Sequence, residues 1–351
     1  MGRSSSALPR ASASNSREFL SMMLVNLWML KSRNGMYWYA LDYVKRVDVP
    51  TTFLVRKRKS SLFKNNLEDA GFEVKEVGLL GLAVTMLGCM LSGRFVFTPT
   101  PHPVPLLRNQ VLVVHDLFPF SGRFGALKRL LFRFGIKTSG ATIAHINRSI
   151  CLSFLDQMAL PQGSKFIFAP NVPPVLDDSV SGTAANARSQ KIMMGAFGTD
   201  SPKKSYESLL SHPAWNGRLK LRIYGHDNNY VRRLRERFGA NSFDLVSSDE
   251  TSVSQFIQSV DGVLSVAQGE GFGRPLATAI AAKVPCHLLD SPAFREFFDG
   301  NARFYDDIAS LLDGVARGER VRELRPTGFL SPDHGLAIDV AAAYMRRLAG
   351  E

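Results

Sequence analysis

The 351-residue sequence has only three cysteines and no apolar run long enough to cross a membrane as a helix. Cys89, Cys151 and Cys286 lie far apart and form no CxxC pair. This spacing argues against a disulfide framework or a zinc site and fits a reducing cytoplasm. The most apolar segment, residues 78–93, is shorter than the roughly 18 residues that a membrane span needs. We therefore expect a buried helix there; an element that dips into a membrane is the alternative.

Acidic residues are scarce in the first half of the chain. Residues 1–175 contain 22 Lys and Arg against 9 Asp and Glu, whereas residues 176–351 contain 21 against 22, and the net charge is +12. A basic surface attracts nucleic acid, anionic membranes or phosphorylated substrates, and a simple solubility bias is the alternative. The basic residues lack interleaved aromatics and a recognisable nucleic-acid motif. We therefore expect an anionic membrane surface as a partner, and no nucleic acid.

Segments typical of strands and of helices alternate along the chain, which predicts the α/β class with parallel sheets. Residues 1–19, rich in Ser and Ala, predict a disordered leader. An irregular stretch predicts a linker at 176–190, between a basic N-terminal domain at 20–175 and a C-terminal domain at 191–335. Each domain is expected to be a doubly wound unit. Residues 336–351 predict a C-terminal helix able to pack back on the N-terminal domain.

Polar residues follow several of the predicted strands. His115 and Asp116 come after VLVV, Asn171 after FIFAP, Gly225 after LRIY, and Glu270 after LSVAQ. Ligands bind outside the carboxyl ends of the strands in open parallel sheets, so these positions predict a ligand site. For His115 and Asp116 the alternative is a strand-end turn with an Asx hydrogen bond.

The stretch GEGFGRPLATAIAAK, residues 269–283, joins a predicted strand to a predicted helix. Gly271 and Gly273 permit a tight loop, and Pro275 suits the first turn of a helix, where its missing N–H costs nothing. The helix N-terminus behind the loop is a natural phosphate site. Glu270 is suited to accept hydrogen bonds from sugar hydroxyls; an acidic turn residue that caps the helix is the alternative.

A second anion site is predicted from GAFGTDSPKKS, residues 195–205. This stretch joins a strand to a helix that we expect to begin near Lys203. Lys204 can reach a diphosphate as a point charge, and a solvated lysine pair is the alternative. Both elements follow strands of the same half of the chain, so the sequence predicts one phosphate-binding region there.

These motifs resemble those of GT-B, GT4-type retaining glycosyltransferases, in particular their mannosyltransferase-like branch. GAFGTDSPKKS resembles the phosphate-binding loop of that family, with Lys204 at its lysine, and VLVVHDLFPF resembles its V-x-x-H-D-L-x-P strand. RNGMYWYALDYVKRV resembles its acceptor-side loop and helix, and the whole resemblance covers most of residues 20–310. Residues 270–307 are similar to its donor-binding segment, with matches at Glu270, Gly271, Phe272, Gly273, Pro275, Ala279, Ala281, Pro285, Ser291, Arg295, Glu296 and Gly300.

The resemblance implies two Rossmann-like domains facing a cleft, with a nucleotide-diphospho-sugar held mainly by the second domain and the acceptor by the first. It implies no metal, because lysine and helix dipoles neutralise the leaving diphosphate. Glu270 would contact donor-sugar hydroxyls, His115 would lie near the sugar as oxocarbenium-like charge develops, and Asp116 would orient His115 or the acceptor. The implied donor-binding residues are Gly198, Lys203, Lys204, Gly225, Gly271, Phe272, Gly273, Arg274 and Thr278, and the implied acceptor-side residues are Asn34 and Gly35.

Three features depart from the pattern of that family. Thr278 stands where a second glutamate usually binds the ribose hydroxyls, and a threonine cannot accept two hydrogen bonds from a cis-diol as a carboxylate does. Arg274 stands where the family is usually apolar and could add positive charge beside the phosphates. The arginine usually found beside the phosphate lysine is missing, and Lys203 could partly replace it.

The resemblance implies a retaining hexosyltransferase for cell-surface glycan synthesis, using a lipid-linked or polysaccharide acceptor. We expect it to be cytoplasmic and peripheral at the inner face of the membrane, with no cofactor. Thr278 motivates an alternative of another class, a glycosyltransferase-like binding protein that has lost catalysis and serves in a glycan assembly complex.

Overall fold

Two parallel β-sheets, one in each half of the chain, form the framework of the computed structural model. The predicted leader and the predicted linker lie outside the described residues. The structure describes residues 22–121, 123–173, 191–199, 202–216, 219–267, 269–318 and 332–350.

The first sheet, that of the first domain, has seven parallel strands in the order β3-β2-β1-β4-β5-β6-β7. Its strands are β1 (Met23–Asn26), β2 (Thr51–Arg56), β3 (Glu73–Val77), β4 (Phe95–Thr98), β5 (Gln110–Val114), β6 (Thr142–His145) and β7 (Lys165–Phe168). Its α-helices are α1 (Gly35–Val47), α2 (Lys64–Asp69), α3 (Leu79–Ser92), α4 (Gly125–Ser139) and α5 (Ser153–Gln157). The strand order reverses beside β1, and such switch points are where open sheets bind ligands.

The second sheet, that of the second domain, has six parallel strands in the order β10-β9-β8-β11-β12-β13. Its strands are β8 (Ile192–Phe197), β9 (Leu219–Gly225), β10 (Asp244–Ser247), β11 (Gly262–Ser265), β12 (Cys286–Leu289) and β13 (Arg303–Tyr305). The helices that follow are α6 (Tyr206–Leu210), α7 (Asn229–Phe238), α8 (Val253–Gln258), α9 (Arg274–Ala281), α10 (Pro292–Phe298), α11 (Ile308–Ala316) and α12 (Pro332–Leu348). Two doubly wound parallel sheets confirm the predicted α/β class.

Helix α1 is fixed to the far edge of the first sheet by buried tyrosines. Tyr39 and Tyr43 are fully buried, and their hydroxyls donate to the carbonyls of Ala169 (2.9 Å) and Pro170 (2.8 Å) just after β7. A buried tyrosine needs such a partner for its hydroxyl. Asn34 begins the helix, because its side chain accepts from the first free backbone N–H groups.

Helix α12 crosses back and lies against the first domain. The Arg346 guanidinium donates to the carbonyls of Arg46 (2.8 Å) and Val47 (2.9 Å) at the end of α1. These charge-assisted bonds satisfy carbonyl groups that a helix C-terminus leaves free. The Tyr344 hydroxyl lies 2.7 Å from Thr142 Oγ1 on β6, so the last helix also covers the sheet.

Two expectations from the sequence are wrong in detail. The stretch MMLVNLWML, residues 22–30, predicts a first strand in sequence, but β1 ends at Asn26, because the Asn26 side chain accepts from Trp28 N (3.2 Å) and turns the chain. The apolar segment at 79–92 is a helix, as expected, but it is not buried. Only Met86 and Cys89 of α3 are buried, whereas Leu79, Leu80, Leu87 and Leu91 are exposed. No helix in the described part of the chain is long and apolar enough to cross a bilayer.

Candidate functional site

A cavity of about 540 Å³ lies between the two domains, at the carboxyl ends of β5, β8 and β11. Residues of both domains line it, including Asn171, which the sequence placed at a strand end. Of the predicted site residues, the structure brings together in this lining Asn34, Gly35, His115, Asp116, Gly198, Lys203, Lys204, Glu270, Gly271, Phe272, Gly273 and Arg274.

Two lysines and a glutamate place opposite charges on the second-domain wall of this cavity. Glu270 Oε1 lies 2.6 Å from Lys204 Nζ and 3.8 Å from Lys203 Nζ, and the Glu270 and Lys204 side chains are each 16% exposed. Burial alone would raise the pKa of Glu270, but the two ammonium groups outweigh it and lower that pKa. The carboxylate is therefore ionised and paired in this structure. A ligand that carries both phosphates and hydroxyls can satisfy the ammonium groups and the carboxylate separately.

The lysines lie on a tight turn and not on the helix that the sequence predicted to begin near Lys203. Pro202–Lys204 form one 3₁₀ turn, and α6 begins only at Tyr206. Ser205 separates them with a left-handed backbone (φ 54°), which a regular helix cannot contain. The Tyr206 hydroxyl donates to the carbonyl of Gly198 (2.9 Å), so the turn is tied to the end of β8.

The glycine loop before α9 closes directly against the first domain. A Cβ atom on Gly271 would lie 2.0 Å from the carbonyl oxygen of His115 and 2.9 Å from Ile146 Cδ1, so only glycine fits. The Asn147 amide donates to the carbonyl of Gly271 (2.8 Å) from the same side. Gly273 has φ 77° and begins α9 without a side-chain cap. The free N–H groups of the first turn therefore remain for a ligand.

His115 lies at the end of β5 on the opposite wall of the cavity. Its Nε2 is buried and has no hydrogen-bond partner among the described residues, and Tyr39 contacts its ring edge-on at 4.7 Å. Burial lowers the pKa of His115 to about 3, although a hydrogen bond to the backbone of Pro99 opposes this shift. Proline offers only a carbonyl, so the ring donates there, and its other nitrogen is left to accept. The ring is therefore neutral at neutral pH, and its Nε2 is a buried, unpaired acceptor in a residue that lines the cavity.

Asp116 organises its own loop rather than its histidine neighbour. Its Oδ1 accepts from Phe118 N (3.0 Å) in an Asx turn, and no hydrogen bond joins it to His115. Burial raises the pKa of Asp116, while the charge of Lys203 opposes that shift. Asp116 therefore adds a partly buried carboxyl group to the cavity, close to Lys203.

Arg274 joins the two domains across the cleft. Its guanidinium donates to Asp42 Oδ2 on α1 (2.7 Å), and both side chains are largely buried. The sequence predicted positive charge beside the phosphates at this position, and the structure adds a partner from the other domain. Asn147 and Asp42 were missed as site residues, because nothing in the linear spacing relates either residue to the glycine loop. The only signal for Asn147 is an amide at the end of a predicted strand.

Two predicted donor-binding residues lie outside the cavity lining. The Thr278 hydroxyl donates to the carbonyl of Arg274 (3.1 Å), four residues earlier in the same helix. Gly225 is needed for packing, because a Cβ there would lie 2.6 Å from Thr199 Oγ1. That hydroxyl in turn donates to the carbonyl of His226 (2.8 Å). Within the described residues, no group of three or more His, Cys, Asp or Glu side chains is placed to hold a metal ion.

The comparisons with known proteins begin with sequence relatives. No family model matches the chain. The O-antigen chain mannosyltransferase RfbU of Salmonella typhimurium is 22% identical over 237 residues, which cover 63% of this chain and 64% of that protein. The match therefore spans slightly less than two thirds of the length of this relative.

Solved structures resemble the chain over nearly its whole length. Anabaena HepE in complex with UDP and glucose matches with a TM-score of 0.65 at 15% identity, covering 93% of this chain and 94% of that one. The pneumococcal O-GlcNAc transferase GtfA, in complex with UDP and GlcNAc, matches with a TM-score of 0.67 at 10% identity, covering 94% and 99%. WaaG, a glycosyltransferase involved in lipopolysaccharide biosynthesis, matches with a TM-score of 0.61 at 15% identity, covering 93% and 95%. The chain has the GT-B fold, which confirms the fold expected from the resemblance.

Proposed function

We propose that the chain is a glycosyltransferase that moves a sugar from a nucleotide-diphospho-sugar to a lipid-linked or polysaccharide acceptor, with retention, in cell-surface glycan synthesis. The observation that carries this proposal is the cavity between the domains. On one wall Lys203, Lys204 and Glu270 form a charged cluster, and on the other wall lies His115, whose buried Nε2 has no partner among the described residues. The similarity to a mannosyltransferase and to UDP-bound GT-B structures supports the same activity.

Each group of this cavity has a defined part in such a transfer. When the bond to the sugar breaks, negative charge develops on the leaving diphosphate and positive charge on the sugar ring. Lys204 stabilises the diphosphate as a point charge, together with Lys203 and the free N–H groups that begin α9. When Lys204 leaves Glu270 and pairs with the phosphates, Glu270 becomes free to accept hydrogen bonds from sugar hydroxyls. His115 is neutral, so its ring does not repel the developing positive charge.

A metal ion is not required in this scheme, because lysine ammonium groups and a helix N-terminus supply the positive charge that the leaving group needs. We therefore expect sugar transfer to continue in EDTA at an unchanged rate. A loss of activity in EDTA that Mg²⁺ or Mn²⁺ restores would show that the scheme lacks a component.

The experiment that tests the donor is a thermal-shift panel of UDP-, GDP-, ADP- and dTDP-sugars. UDP-sugars and mannose donors come first, because the similar structures hold UDP and the sequence relative is a mannosyltransferase. A specific donor at a hundredfold excess over its Kd stabilises the fold by about 2.7 kcal/mol, which raises Tm measurably. Glu270→Gln keeps the shape of the side chain and should weaken the sugar-dependent part of this rise. No stabilisation by any donor would contradict the proposal.

A second candidate function is a glycosyltransferase-like protein that binds glycan precursors without transferring sugar. The Thr278 hydroxyl favours it, because this side chain is bonded within its own helix and leaves no carboxylate at that position for a ribose. The two functions differ in turnover. Nucleotide release from a stabilising donor, lost in Glu270→Ala, supports the enzyme, whereas donor binding without release supports the binding protein.

We further place this activity at the cytoplasmic face of an anionic membrane, where a lipid-linked acceptor would be met. The excess of 13 positive charges in residues 1–175 supports this location. Flotation with vesicles that contain phosphatidylglycerol tests it, and absence of binding at low ionic strength would refute it.

A further inference from the structure

The exposed large apolar side chains of the described residues are concentrated in the first domain, and helix α3 carries a continuous stripe of them. The helix holds no charged residue from Leu79 to Ser92. Its buried side, formed by Met86 and Cys89, packs on the sheet, and the opposite side faces away. The spacing i, i+4, i+7, i+11 describes one helix face, and residues between 53% and 82% exposed occupy it: Leu80, Val84, Leu87 and Leu91.

Helix α4 carries a second apolar stripe with positive charges beside it. Four large side chains at i, i+3, i+4 and i+7 are between 52% and 61% exposed, namely Leu127, Leu130, Leu131 and Phe134. An exposed basic row with i, i+4, i+8 spacing runs along the flank, namely Arg129, Arg133 and Lys137. No acidic residue occurs between Asp116 and Asp156. A basic helix with an unpartnered apolar side is typical of elements that lie in the plane of a membrane interface.

The two helices lie on the same side of the first sheet. The connection from β3 to β4 contains α3, and the connection from β5 to β6 contains α4; both run in the same direction across the sheet. Right-handed connections that run in the same direction place their helices on the same face of a parallel sheet. The segment between β4 and β5 contacts both helices. Pro103 packs against Gly135 of α4, so closely that a Cβ on Gly135 would lie 2.4 Å from Pro103 Cγ. Val104 and Leu107 pack with the buried side of α3. Leu106, between them, is 60% exposed.

We infer that this apolar face, formed by the exposed residues of α3 and α4 together with Leu106, inserts into the interface of an anionic bilayer. The inference rests on the proposed membrane association and identifies the surface of the protein that contacts the membrane. The charge pattern selects lipid over a second copy of the chain. A two-fold contact would bring the basic rows of two α4 helices together, whereas anionic lipids neutralise them.

The face is linked to the cavity along the chain. Phe118 lines the cavity and is 71% exposed, and it belongs to the turn Phe118–Phe120 that leads from the end of β5 towards α4. Insertion of α4 therefore brings the mouth of the cavity near the lipid headgroups. This position suits an acceptor whose reactive group lies just outside a bilayer and whose apolar part remains inside it.

The test compares matched substitutions in the full chain by vesicle flotation. Leu80→Asp with Leu87→Asp changes α3, and Leu127→Asp with Leu131→Asp changes α4. The control, Leu336→Asp with Val340→Asp, makes the same change at residues of α12 that are 66% and 54% exposed. Helix α12 lies against α1. Helix α1 packs with Met23 and Val25 on one side of the sheet, whereas α3 packs with Leu24 on the other side. Each face variant should weaken binding to phosphatidylglycerol vesicles roughly tenfold or more, and the control should not.

A second measurement reports insertion directly. Leu87→Trp should shift its emission to the blue on adding vesicles, whereas Leu336→Trp should not. Two results would overturn the insertion surface while leaving membrane association intact. One is equal vesicle binding by the face variants and the control, and the other is wild-type vesicle binding that high salt abolishes completely. Absence of wild-type binding would overturn both, and a dimer lost only in the face variants would assign the face to a second copy. Donor binding in the thermal-shift panel is independent of this face, so its failure refutes glycosyl transfer alone.

Discussion

A single added methyl group at Gly271 tests whether the glycine loop sets the closure of the cleft. In the structure a Cβ at this position lies 2.0 Å from the carbonyl oxygen of His115, where real Cβ atoms do not come closer than about 3.0 Å. The blocking atom belongs to the backbone at the end of β5, so it cannot rotate away. Gly271→Ala must therefore move the two walls of the cavity apart by about 1 Å.

A displacement of about 1 Å at a reacting centre can lower a rate by about 100-fold. We expect kcat for sugar transfer by Gly271→Ala to fall by that order, and the free energy of unfolding to fall by about 1–3 kcal/mol from overpacking. The assay is release of the nucleoside diphosphate, followed with urea unfolding of the same samples. Gly335→Ala, in α12 and away from the cavity, is the control, since a Cβ there would meet no heavy atom within 4 Å. Equal rates for the two variants would refute the reasoning, because the contact would then not position the walls.

Three further predictions concern the charged wall, the buried tyrosine and the neutral histidine. Lys204→Met should lower kcat/KM about 100- to 1000-fold in the same assay and Lys203→Met much less, because Lys203 lies 3.8 Å from Glu270 and Lys204 lies 2.6 Å from it. Tyr39→Phe should cost about 1–3 kcal/mol in urea unfolding, because it leaves the buried carbonyl of Ala169 unpaired; an unchanged unfolding midpoint would contradict this. The folded pKa of His115 is about 3 against an ordinary 6.5, so between these values only the unfolded chain takes up this proton. Its contribution to stability is therefore lost as the pH falls from 6.5, and Tm of His115→Gln should depend less on pH in that window than Tm of the wild type.

The architecture was predictable because short apolar segments alternate with helical periodicity, and parallel sheets follow from that alternation. The burial of α3 was not predictable in the same way. A run such as LLGLAVTMLGCMLS indicates that its side chains are apolar and favour burial, but it does not indicate which surface buries them. In the structure Met86 and Cys89 pack on the sheet, while Leu80 and Leu91 are 79% and 82% exposed. Hydrophobicity therefore predicted the helix correctly and its surroundings wrongly.

The position of a site after a strand can be read from sequence, but contacts between domains cannot. Lys204 and Glu270 share one wall of the cavity because parallel strands bring their carboxyl ends to one edge of the second sheet, whereas His115 follows a strand of the first sheet. The pairing of Arg274 with Asp42 joins residues 232 positions apart, and no spacing rule relates them. Thr278 shows the same limit within one helix. Its replacement of a carboxylate was visible in the sequence, whereas its bond to the carbonyl of Arg274 depends on helical geometry. Because that bond engages the threonine hydroxyl, the transferase that we propose is expected to derive its donor affinity from phosphate and sugar contacts with the lysines, the glutamate and the start of α9, rather than from a ribose contact.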